Sequence, residues 1–118
     1  MAAIDQQIIK LLGIRSSAHI THWDTQSYAT HKALNKFYDG LTDLVDTFVE
    51  TYFGKYGRQP IKGMAQLTVQ DPKTLVDEAM KNVIELEKAV DKSDTDLLNI
   101  LADIKGLCNH TQYMLTLK

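Results

Sequence analysis

The chain has 118 residues, with 13 basic and 15 acidic side chains, a formal net charge of −2 and a pI near 6.0; this suits one domain with a buried core and excludes the overall basic character that neutralises phosphates, so nucleic acid is not an expected partner. A 44% hydrophobic and 24% charged composition excludes a disordered chain, and no apolar run approaches the ~20 residues of a membrane span. The start "MAAIDQQII" lacks the basic residues of a secretory signal, and Cys108 is the one cysteine, so no membrane partner and a reducing, cytoplasmic setting are expected.

Ile4, Ile8, Leu11, Leu12, Ala18 and Trp23 recur at helical spacing and predict a first helix from about residue 3 to about residue 25, interrupted in character by Gly13. "TQS" breaks the pattern, and Ser27 stands where it would cap a second helix. From Tyr28, the positions Leu34, Phe37, Tyr38, Leu41, Leu44, Val45, Phe48, Val49 and Tyr52 sustain a long helix until Gly54 and Gly57, with Lys55 and Arg58 suited to its end. "GRQPIKGMAQLTVQ" reads as a connection between opposite ends of a bundle, with room for a short helical turn. "DP" announces a third helix, Asp71 as its cap and Pro72 in its first turn, with the stripe Leu75, Ala79, Val83, Leu86 and Val90. After "DKSDTD", Ser93 or Asp94 caps a fourth, marked by Leu97, Leu101, Ile104, Cys108, Thr111 and Leu115. The alternation of short, long and short links predicts an all-α fold: a single ferritin-like four-helix bundle domain over residues 1–118, with a long crossover between helices two and three. A plain up-down bundle is the alternative.

The chemistry-bearing residues lie on the second helix and just before it. At 100° per residue, His31, Asn35, Asp46 and Glu50 fall within an arc of about 100°. The rise of ~1.5 Å per residue nevertheless puts His31 roughly 22 Å from Asp46, whereas metal bonds are ~2 Å long. Within one helix the histidine end and the carboxylate end cannot share an ion. Two copies packed antiparallel along this helix would place the histidines of one beside the carboxylates of the other and form two equivalent sites. Mixed imidazole and carboxylate ligands suit iron or zinc.

His22-Trp23, then His31, then "DLVDTFVE" resemble the signature of the Dps proteins, the miniferritins of the ferritin-like superfamily. The resemblance is carried by about residues 15 to 54, and the step from His31 to Asp46 and Glu50 matches without a gap. It implies a ferroxidase site between two subunits, with His22 and His31 from one and Asp46 and Glu50 from the other as the metal set, and no catalytic residues apart from those ligands. Trp23 resembles the tryptophan beside the iron, Asn35 stands where the family has Asp, and His19 is a further candidate for a supporting place. The implied activity is oxidation of Fe(II) by peroxide or oxygen, for iron storage or oxidative protection, in a homodimer through helix two that extends to a larger shell. DNA binding is not implied, because no Lys-rich tail is present. The alternatives are a non-catalytic helical interaction protein that has lost the metal, of the kind phages encode, and a zinc-stabilised dimer.

The remaining features read as structure. Trp23, Tyr28, Phe37, Tyr38 and Phe48 are expected to pack. Leu44, Val45, Phe48 and Val49 are expected to enclose the carboxylate face in part. Asp39 and Asp43 read as surface charges, and Cys108 as a buried small hydrophobe. His110 lacks an acidic residue three positions before it, so the Glu-x-x-His pair of di-iron bundles is absent.

Overall fold

The amphipathic stretches become four helices, α1 (Asp5–Asp24), α2 (Tyr28–Tyr56), α3 (Pro72–Ala89) and α4 (Thr95–Met114), in a computed structural model whose described residues are 3–118. Among these residues there is no strand, and no helix is long and apolar enough to cross a membrane. Local chemistry sets the ends. Ser27 Oγ accepts the Thr30 N–H at 3.2 Å, and the Asp71 carboxylate takes both the N–H and the hydroxyl of Thr74, at 3.1 and 3.0 Å. The bonds from the two backbone N–H groups satisfy donors that have no partner inside the first turn. Gly54 does not stop α2. The helix runs on to Gly57, whose φ of 87° is one that a Cβ would strain.

Asp94 occupies the cap position of α4 without a capping side-chain bond. Its carboxylate turns to the far end of α2, where it pairs with Lys55 Nζ at 2.7 Å and accepts the Tyr56 hydroxyl. A carboxylate only 4% exposed is tolerated because both neighbours stabilise its charge. The hydrogen bond to Asp94, then partial burial, pushes the Tyr56 phenol up to about 12, against the opposing pull of Lys55. An unfolded tyrosine loses its proton near 10. Between these values the folded chain holds the proton and the unfolded chain does not, so this contribution to stability is complete below about pH 10 and falls as pH rises toward 12. Tyrosinate absorbance should therefore show a late-titrating group that Asp94→Ala returns toward the ordinary range; an unchanged titration curve would remove Asp94 as the cause.

α1 packs on α2 and α3, and α4 packs on the same two helices, so α1 faces α4 and α2 faces α3 across the diagonals. Side chains from all four helices form one buried cluster, including Leu11, Phe37, Phe48, Val83, Leu101 and Ile104. Cys108 belongs to it, and burial pushes its thiol up to about 12, which leaves it unreactive at neutral pH.

The link over 57–71, which has room for a short helical turn, contains none. It lies along α1. Gln59 Oε1 accepts the Ile4 N–H, the Lys62 N–H donates to Asp5, the Ser17 hydroxyl bridges the Gln66 carbonyl and the Thr68 N–H, and the Gln70 N–H donates to Thr21 Oγ1. Successive link residues thus meet successive turns of α1, from its first to its last. Gly13 has its explanation here: a Cβ on it would stand 3.0 Å from the Gln66 carbonyl oxygen and 3.2 Å from Ala65 Cβ.

Candidate functional site

The short connection between α1 and α2 brings His22, in the last turn of one helix, against His31, in the first turn of the next. Their rings stack with centroids 3.6 Å apart and planes inclined by 17°. The contact is reciprocal. His22 Nδ1 lies 2.7 Å from the His31 carbonyl oxygen, and His31 Nδ1 lies 2.8 Å from the His22 carbonyl oxygen. A carbonyl only accepts, so each Nδ1 carries a proton, and in a neutral ring the lone pair is then on Nε2. The His22 carbonyl is one of those that the end of α1 leaves without an intrahelical partner, which gives the His31 ring its anchor. His22 is buried and His31 partly so.

A second layer surrounds the pair. The His19 ring stacks on Tyr38 at 4.2 Å and lies 4.4 Å from Trp23 and 6.0 Å from His22. Partial burial, then the positive charge of Arg15, lowers the pKa of His19, while Asp39 opposes the shift. The Arg15 guanidinium sits 5.2 Å over the Tyr38 ring and donates through Nε to Thr42 Oγ1 at 2.9 Å. The Tyr38 hydroxyl donates to Asn35 Oδ1 at 2.8 Å, and Asn35 Nδ2 donates to Asp39 at 3.3 Å. An ionised Asp at position 35 could accept from Tyr38 but could not donate to Asp39. The amide is therefore the side chain that this network needs.

The carboxylates lie elsewhere. Asp46 and Glu50 are exposed on the outer side of α2, while Val45 and Phe48 turn into the core and Leu44 and Val49 are half-buried. The expected partial enclosure of this face is not present within one chain, because the helical period turns Leu44, Val45 and Phe48 about 100° or more away from both carboxylates and leaves Val49 alone beside Asp46. Trp23 and Tyr28 also differ from the packing role expected of them, at 67% and 73% exposed, whereas Phe37, Tyr38 and Phe48 are buried. Among the described residues, no group of three His, Cys, Asp or Glu side chains is placed to hold a metal ion. One chain thus assembles the histidines, with His19, Trp23 and Asn35 around them, and leaves Asp46 and Glu50 apart. Two imidazole donors fit Fe(II) or Zn(II) in kind but are too few to enclose either.

The contributions of Arg15, Tyr38 and Asp39 are not in the expectations drawn from the sequence. Their signal was spacing, since Asn35, Tyr38 and Asp39 are three and four residues apart on α2, and Arg15 lies four before His19. A groove of about 480 Å³ between α1, the link and α3, lined in part by Lys10, Ser17, Gln66 and Lys81, contains none of the histidines.

Fold and residues define an all-α four-helix bundle with a histidine pair locked at the α1–α2 corner and a carboxylate pair exposed further along α2. The chain belongs to a family described as "Family of unknown function (DUF5856)", whose profile matches residues 22–115 and so takes in both pairs. It is also similar, at 28% identity over 116 residues, to the "Uncharacterized 14.6 kDa protein in mobD-ri intergenic region" of Enterobacteria phage T4, covering 97% of this chain and 88% of that relative. No solved structure matches.

Proposed function

We propose that the protein is a miniferritin-type ferroxidase that binds Fe(II) between two copies of the chain in the cytoplasm. The observation that carries this reading is the reciprocal locking of His22 and His31, which leaves two Nε2 lone pairs without an intrachain hydrogen bond among the described residues. A ligating histidine characteristically donates its other ring nitrogen to a carbonyl or carboxylate, which fixes the tautomer and the ring orientation before the metal arrives. Asp46 and Glu50 of the second copy would complete the set and balance the charge of Fe(II). Oxidation then takes one electron from each of two Fe(II) ions and delivers both to one peroxide, which accepts two protons and leaves as two waters. A twofold dimer supplies the smallest complete site, and a shell would repeat it.

Fe(II) titrated anaerobically and then exposed to peroxide should give ferric absorbance well above buffer. Glu50→Ala should abolish the increment at unchanged helical circular dichroism, because Glu50 is exposed and packs against nothing that the fold needs. Absorbance equal to buffer with the wild-type chain would overturn the reading. The second reading, a non-catalytic helical interaction protein, is favoured by a different aspect of the same bonds, since they already form a complete clasp between α1 and α2 within one chain. A zinc-stabilised dimer would instead show tight Zn(II) binding without oxidation chemistry.

A further inference from the structure

We infer that the exposed face of α2 is self-complementary in charge and docks antiparallel on the same face of a second copy, in one register. Tyr28, Lys32, Lys36, Asp39, Asp43, Asp46 and Glu50 are all exposed, and at 100° per residue they share an arc of about 80°. The charges are segregated along the helix. Lys32 and Lys36 come first, Asp39 follows them, and the C-terminal half carries Asp43, Asp46 and Glu50. Among the described residues none of these six makes an intrachain ion pair.

With the twofold axis level with Leu41, Lys32 of each copy faces Glu50 of the other, and Lys36 faces the other's Asp46. The same register lays Tyr28, 73% exposed, over Phe53 and Gly54 of the second copy. Nothing stands within 4 Å of the place where a Cβ on Gly54 would be, which leaves room for the ring. Tyrosine is enriched among interface residues, which suits Tyr28 to a contact at each end of the pairing. Asp39 lies near the axis opposite Asp43, a like-charge contact that the flanking lysines offset. The parallel arrangement would set lysines against lysines and acids against acids, so charge selects the antiparallel one.

This inference deepens the proposed function by naming the register of its second copy, and it rests on that reading only for the use of α2 as the contact. Lys32 and Lys36 are not ligands. They would hold Asp46 and Glu50 of the other copy while no Fe(II) is present.

The test is sedimentation velocity with the metal removed by chelator. The wild-type chain is expected to be at least a dimer, twice 13.3 kDa, and to dissociate as salt is raised from 0.05 to 1 M, as screened ion pairs do. Lys32→Glu with Lys36→Glu should weaken association by at least about tenfold. Asp46→Lys with Glu50→Lys should do the same. Mixing the two variants should restore a one-to-one pair, and the four-substitution chain should associate like wild type. All positions are exposed, and circular dichroism verifies the fold of each variant. A monomeric wild type, or charge-reversed chains that still self-associate, would overturn the inference. Lys32→Glu with Lys36→Glu keeps every proposed ligand, so Fe(II) oxidation by a still-dimeric variant would sink the register and spare the ferroxidase reading. A salt-sensitive dimer that oxidises no Fe(II) would do the reverse.

Discussion

His22→Ala is expected to lower the free energy of unfolding by about 2–4 kcal/mol. The ring is 6% exposed, so its removal opens a void beside His31 and Tyr38. It also leaves the His31 carbonyl without its 2.7 Å donor. Both losses fall at the same corner, where the chain reverses between α1 and α2. His22→Phe keeps most of the volume and loses the hydrogen bond, and should fall between wild type and alanine. Urea unfolding with unchanged slope is the measurement. A His22→Ala midpoint within error of wild type would show that the stacked pair holds nothing together. Glu50→Ala, on the open face of the same bundle, should shift stability by no more than about 0.5 kcal/mol. Loss of stability and loss of Fe(II) chemistry are thus separable, the first belonging to the histidine half and the second to both halves.

Gly13→Val is expected to cost about 2–3 kcal/mol, although valine in place of glycine in a helix interior carries no penalty of its own. The reason is tertiary. The Cβ alone would sit 3.0 Å from the Gln66 carbonyl oxygen, and the two γ-methyls have still less space. The obstacle is backbone, held there by the Ser17 and Thr21 hydroxyls, and cannot swing aside like a side-chain tip. The link must lift from α1, which breaks those bonds. Amide hydrogen exchange should show loss of protection at Thr68 and Gln70, with α4 little changed. Retained protection at both amides, with a stable Gly13→Val chain, would mean that the link does not bear on the helix.

These two positions show how legibility divides along the chain. Ser27, Asp71 and Pro72 announced the starts of α2 and α3 because capping is a transaction among residues within one turn. The apolar stripes on the four helices were legible for the same reason, since the 3.6-residue period is a property of the backbone itself. Asp94 was legible as a helix start but not as the partner of Lys55 and Tyr56, which are 38 and more residues earlier in the chain. Asn35 was read as a departure from a metal-binding pattern, and the amide bonds to Tyr38 and Asp39 give it a place of its own.

The sequence by itself determined four amphipathic helices, their caps, and the distance along α2 that keeps His31 from Asp46 and Glu50. The tertiary structure decided that His22 and His31 face each other as a locked pair, that Gly13 lies under the link, and that Asp46 and Glu50 stand open to solvent. Periodicity and capping act over one turn of helix and can be read from neighbours. Ring stacking, close backbone approach and exposure depend on how helices rotate and slide against one another, which is set by the packing of the whole core.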